Sequence, residues 1–217
     1  MKKYTDVDAL VFDMDGTLWD AVHSYCKVWD TTAARLGVVR PPVQYDELVA
    51  LMGKPLIEIY YCLMGGYDDN AERFMATLTD VENELMPVLG GQLYPEVHET
   101  LSALQKRVRL FMISNCTGRG LDNFLTINNL KQYFTDWLSY GATGVDKDIN
   151  LKTLIDCYNL KRPVYVGDIQ RDCDSSHAAD VEFCWASYGF GEVVNADFTI
   201  KTFNELETIV LDNGSQI

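Results

Sequence analysis

The sequence is short of positive charge. It has 18 Lys and Arg against 32 Asp and Glu in 217 residues, a net charge of −14 at pH 7. That balance argues against nucleic acid as a partner, because a phosphate backbone demands a basic surface. No apolar run approaches the roughly 20 residues that span a bilayer, so no membrane partner is expected. The opening Met1-Lys2-Lys3-Tyr4-Thr5-Asp6 carries no signal-type apolar segment. The six cysteines are scattered and none has CxxC spacing. They read as reduced thiols in a cytoplasmic protein rather than as disulfides or zinc ligands. The three histidines, His23, His98 and His177, do not cluster. Internal repeats and low-complexity segments are also missing.

What is present is apolar mass arranged in alternating elements. Hydrophobic residues make up 47% of the chain and aromatics 12%, enough for a sizeable core. Ala9 to Phe12 is a continuous apolar run, the pattern of a strand covered on both faces of a parallel sheet. From about Asp20 to about Leu89 only helical signals occur: Ser24 to Leu36 ending at Gly37, then Tyr45 to Met52 and Leu56 to Met64 around Gly53-Lys54-Pro55, then Asp69 to Leu89 with Pro87 near its end. After Gly90-Gly91 strands and helices alternate. Strands are predicted at Val108–Ile113, Trp137–Tyr140, Val164–Val166, Phe183–Ala186 and Asp197–Ile200. Helices are predicted at Val97–Lys106, Leu121–Asn128, Leu151–Tyr158, Ser175–Ala179 and Asn204–Val210. Such alternation means an α/β fold, a Rossmann-like doubly wound parallel sheet with helices on both faces. The expected organisation is a core made of residues 1–19 and 90–217, with residues 20–89 inserted as an α-helical cap. Gly16 and Gly90-Gly91 are the expected joints.

Polar residues follow the apolar strands at four places. The first strand ends in Asp13-Met14-Asp15-Gly16, the second in Ser114-Asn115, and the fourth in Gly167-Asp168 with Asp172 four residues on; Lys147 lies in a loop after the third. In an open α/β sheet these carboxyl edges face one another, so the residues converge. Crowded carboxylates need a cation or a shared proton. The pair Asp13 and Asp15 therefore suggests a metal site, a nucleophile with an acid/base partner, or both. Phosphoryl transfer is chemistry such a set can support. A carboxylate can attack phosphorus, a hard divalent cation suits carboxylate and carbonyl ligands, a lysine and a hydroxyl or amide can hold phosphoryl oxygens, and a second carboxylate can move the proton.

The set resembles the haloacid dehalogenase superfamily, in particular its phosphatases with a helical cap, such as phosphoglycolate phosphatases. Asp13-Met14-Asp15-Gly16-Thr17-Leu18 matches the first motif, DxDGT; Ser114 matches the second; Lys147 the third; and Gly167-Asp168 with Asp172 the fourth, GDxxxD. The resemblance implies that Asp13 is the nucleophile and Asp15 the general acid/base. It implies a Mg²⁺ site drawing on Asp13, Asp15 through its backbone carbonyl, Asp168 and Asp172. Ser114 and Lys147 would grip the phosphoryl group with help from Asn115. One departure is that Asp148, not proline, follows Lys147. Lys152 is the competing lysine, but it falls within a predicted helix, where a solvated face explains it. In the cap, Lys54 between two short helices is the candidate for reading the leaving group.

The expected activity is Mg²⁺-dependent hydrolysis of a small phosphorylated metabolite through an aspartyl-phosphate, by a monomer or homodimer. Asp15 argues against carbon–halogen and carbon–phosphorus cleavage, since relatives with those activities lack the second aspartate. The alternatives are a sugar-phosphate mutase and a non-catalytic phosphate-binding module. Mutase relatives carry a histidine at the cap joint, where this chain has Tyr25.

Overall fold

The computed structural model describes residues 6–65 and 70–211. The expected helix start at Asp69 lies outside them. In chain order the elements begin with β1 (Ala9–Phe12), β2 (Trp19–Asp20), α1 (Val22–Arg35), α2 (Tyr45–Val49), α3 (Leu56–Met64), α4 (Ala71–Leu89), β3 (Gln92–Leu93), α5 (Val97–Leu104) and β4 (Arg109–Ser114). They continue with α6 (Gly120–Ile127), β5 (Asp136–Ser139), α7 (Tyr140–Thr143), α8 (Lys147–Tyr158), β6 (Pro163–Gly167), α9 (Gln170–Ala178), β7 (Glu182–Ala186), β8 (Phe198–Ile200) and α10 (Glu205–Leu211).

Six strands form one sheet in the order β5-β4-β1-β6-β7-β8, all parallel. β1 is central, with Phe12 in register with Met112 of β4 and Val166 of β6. The chain runs outward from β1 through β4 to β5, then crosses back to β6. The crevice at the carboxyl ends of β1, β4 and β6 is thus a switch point, the place where open α/β sheets bind ligands.

The unbroken apolar run of β1 is explained by two cores. Leu10 and Phe12 join the larger one, with Leu101 of α5, Phe124 of α6 and Phe203. Ala9 and Val11 join the other, with Leu151 and Leu154 of α8 and Cys173 of α9. All four β1 residues are fully buried. The α/β reading of the sequence holds, with helices packed on both faces.

Residues between β2 and β3 form α1 to α4. Their apolar stripes meet each other: Val28, Trp29, Ala33, Ile59, Tyr60, Phe74, Leu78 and Val81 are buried, with Trp29 stacked on Phe74 at 5.5 Å. The chain enters and leaves this segment through a two-residue antiparallel ribbon, Trp19 opposite Leu93 and Asp20 opposite Gln92. Sequence reading found no strand signal at Asp20 or after Gly91, because two residues give no periodicity.

Two helix starts also need correcting. α8 begins at Lys147 rather than Leu151, and α9 at Gln170 rather than Ser175. In both, the first inward-facing residues are polar, Lys147 and Asn150 in α8 and Asp172 in α9. A search for apolar spacing passes over them.

Candidate active site

Asp13 leaves β1 with its amide donating to the Val166 carbonyl at 2.9 Å, so the sheet ladder fixes the residue beside β6. Its carboxylate is buried and accepts from Lys147 Nζ at 2.7 Å. The same Nζ donates to Asp172 Oδ1, also at 2.7 Å. Lys147 itself is 4% exposed. Burial works against its charge, but Asp13 and Asp172 outweigh it and hold the ammonium well above the ordinary lysine range. The expected loop lysine therefore sits on the first turn of a helix and inside the site. Lys152 lies on the outer face, paired with Asp148 at 3.4 Å.

Asp13, Asp168 and Asp172 bring carboxylate oxygens within 4.8 Å of one another, and all three are buried. Asp172 also closes the start of α9, its Oδ2 accepting from the amides of Asp168 at 3.3 Å and Ile169 at 3.4 Å. Asp168 Oδ2 accepts from the Phe190 amide at 2.7 Å. Burial, with Asp172 and Asp13 beside it, pushes the Asp168 carboxyl well above its usual range. Burial also raises Asp13, to about 6, against the opposing pull of Lys147. Three hard oxygen donors facing one another with a single lysine between them are over-supplied with negative charge. Oxygen-only donor sets of this kind fit Mg²⁺. The Asp15 carboxylate is not part of this cluster.

Asp15 points toward the inserted helices. Its Oδ1 accepts from Trp19 Nε1 at 2.9 Å, and the Tyr25 hydroxyl hydrogen-bonds to it from α1. Burial, then the charge of Asp13, pushes this carboxyl up to about 8. A group of that kind holds a proton at neutral pH and can give it away. Gly16 makes the turn possible. It has φ +79°, and a Cβ there would fall 2.0 Å from Asp168 Oδ2, so only glycine lets the two motifs touch.

Ser114 ends β4, is buried, and its Oγ accepts from the Cys116 amide at 3.2 Å. Asn115 Nδ2 donates to the Gly53 carbonyl at 3.3 Å. The loop between α2 and α3 thus descends onto the sheet edge, with Gly53 at φ +77° and no room for a Cβ, which would meet Ile169 Cδ1 at 1.9 Å. Lys54 is exposed and lines a cavity that also takes in Asp13, Asp15, Ser114, Asn115, Lys147 and Asp168. Asp172 lies beneath this surface and reaches it through Lys147.

Sequence reading missed four contributors. Trp19, in the ribbon that leads into the inserted helices, donates to Asp15. Tyr25 was considered only as the residue standing where a histidine would mark a mutase. The Ser187-Tyr188-Gly189-Phe190-Gly191 loop supplies the Phe190 amide to Asp168; its paired glycines were the available signal. Glu82 lines the cavity from α4 and is buried. It sits four residues from both Leu78 and Met86, so a carboxylate within an apolar stripe was the sign of it.

Comparisons with known proteins bear on the family and the fold. The family model for haloacid dehalogenase-like hydrolases matches residues 10–186. A phosphoglycolate phosphatase of Pseudomonas putida is 25% identical over 216 residues, covering 93% of this chain and 78% of its own. One from Vibrio parahaemolyticus is 26% identical over 226 residues, covering 94% and 96%. In structure, a haloacid dehalogenase-like hydrolase of Streptococcus pneumoniae superposes with a TM-score of 0.83 at 17% identity, covering 93% of this chain and 97% of that one. CbbY from Rhodobacter sphaeroides, solved with phosphate, superposes at 0.77 with 17% identity, covering 93% and 96%. These two likenesses concern the fold alone. With four motifs meeting at one sheet edge and a family match over most of its length, the chain belongs to the haloacid dehalogenase-like hydrolases.

Proposed function

We propose that this phosphatase of small phosphorylated substrates works through an aspartyl-phosphate on Asp13, with Mg²⁺ as its cofactor. The observation that carries the reading is the convergence of Asp13, Asp168 and Asp172 around Lys147, with two contacts of 2.7 Å. The relatives named phosphoglycolate phosphatase support a small phosphomonoester as substrate.

Asp13 Oδ attacks phosphorus, and the bond to the leaving oxygen breaks. Asp15, protonated at neutral pH, gives its proton to that oxygen as it departs. Asp15, now ionised, takes a proton from water, which attacks the aspartyl-phosphate and returns Asp13 as carboxylate with inorganic phosphate. Ser114 Oγ, the Asn115 amide group and Lys147 Nζ stand at the strand ends to hold phosphoryl oxygens. Asp13, Asp168, Asp172 and the Asp15 carbonyl would hold Mg²⁺, which neutralises the phosphoryl charge that a carboxylate nucleophile must approach. Residues 20–89 act as the cap that keeps bulk water from the intermediate. Six free thiols support a reducing, cytoplasmic setting.

The test is release of phosphate from p-nitrophenyl phosphate with and without Mg²⁺. Wild type turns over only with the cation, and Asp13→Asn loses at least about a thousandfold. Equal turnover by Asp13→Asn, or none by wild type across a panel of phosphomonoesters, overturns the reading.

A further inference from the structure

The cavity that holds the acid cluster also has apolar walls, Val28, Trp29, Leu48, Ile59 and Leu78, and one further acidic group, Glu82 from α4. Glu82 is 6% exposed. Its Oε1 accepts from Thr117 Oγ1 at 3.1 Å, and that hydroxyl is itself held by the Gly120 amide at 3.2 Å. Thr117 therefore spends its one proton on Glu82. Among the described residues no ion pair reaches Glu82, and no further donor reaches its second oxygen. Lys54, on the exposed α2–α3 loop, pairs with no acid among the described residues. A buried carboxylate with one neutral donor is under-satisfied and favours a ligand that brings a second.

We infer that Glu82 is the specificity residue of this phosphatase, selecting a leaving alcohol that carries an ammonium or hydroxyl group and rejecting one that carries a carboxylate. The inference rests on the phosphatase reading and sharpens it. A donor at the far end of the leaving group meets the unfilled Glu82 oxygen, and an ammonium there also faces the aromatic rings of Tyr25 and Trp29 that line the same space. Burial pushes the Glu82 carboxyl up to about 7, with the hydrogen bond from Thr117 opposing. Above that pH a carboxylated leaving group places a second negative charge beside the ionised Glu82, where burial makes like charges repel most. The relatives are named for phosphoglycolate, a carboxylated ester; this chain's cavity is built for a different one.

The experiment compares kcat/KM at pH 8, where Glu82 is ionised, for O-phosphoethanolamine, glycerol 1-phosphate and 2-phosphoglycolate, using wild type and Glu82→Gln. Wild type favours the first two by about tenfold or more, and Glu82→Gln narrows that ratio by a similar factor, since a polar group selects by what it leaves unpaired. Preference of wild type for phosphoglycolate, or a ratio unchanged in Glu82→Gln, overturns the inference and leaves Glu82 as a tie to Thr117 only. Titration calorimetry of the same three esters on Asp13→Asn protein reads selectivity without turnover. Phosphate release from p-nitrophenyl phosphate with tighter binding of phosphoglycolate sinks the inference while the phosphatase reading stands. No release from any ester, with tighter binding of the amine and polyol esters, does the reverse.

Discussion

Lys147 shows how one buried side chain fixes a site. Its ammonium joins two carboxylates from β1 and α9, so Lys147→Met leaves both without a partner. The expected cost is about 3–5 kcal/mol in urea unfolding without divalent cation, together with a loss of at least about a hundredfold in phosphate release. The proposed Mg²⁺ would act on the same charges. Saturating Mg²⁺, at a hundred times its dissociation constant, is expected to raise wild-type stability by about 2.7 kcal/mol, and Asp168→Asn to abolish that gain in thermal melts. Glu82 supplies a pH signature. Its carboxyl stands near 7 in the folded protein against an ordinary value of 4.5. Between those values the unfolded chain has lost the proton and the folded chain keeps it, so stability falls as pH rises and levels off above 7. Glu82→Gln removes the fall. Its unfolding free energy relative to wild type grows from near zero at pH 4 to at most about 3 kcal/mol at pH 8, read from denaturant curves across that range.

At the scale of elements, turns matter as much as strands. Gly16→Ala forces a Cβ onto Asp168 at a positive φ; the expected loss is of order 1–3 kcal/mol in stability and a fall in kcat, measured by melting and phosphate release. How legible the elements were follows from their chemistry. β1, β4 and β6 stood out because both faces of a central parallel strand are apolar. The acids at their ends stood out because they interrupt apolar runs, Asp13 after Ala9 to Phe12 and Asp168 after Val164 to Gly167. The starts of α8 and α9 did not, since Lys147, Asn150 and Asp172 turn inward to serve the site and interrupt the apolar spacing that marks a helix. The β2–β3 ribbon was too short to carry a period. Tyr25 was hidden because a helix in the inserted segment reads the same whether its inner face meets core or ligand, whereas Glu82 broke an apolar stripe between Leu78 and Met86.

At the scale of the whole molecule, the net charge of −14 opposes capture of an anionic ester, whose arrival depends on the few cations at the crevice. Raising salt from about 10 mM to 0.15 M shortens the Debye length from roughly 30 Å to 8 Å. kcat/KM is expected to rise several-fold over that interval at fixed Mg²⁺ while kcat holds; a fall with salt would mean that local attraction from Lys54 and Lys147 dominates. Trp19 ties the large scale back to the small. It lies in the ribbon through which the chain passes into α1, its ring packs edge-on to Phe124 at 4.7 Å, and its indole N–H ends on Asp15. The molecule thereby carries its own optical gauge. Fluorescence from a variant keeping this indole alone among the four tryptophans would register, in one emission band, both the ionisation of Asp15 and any displacement of the β2–β3 ribbon.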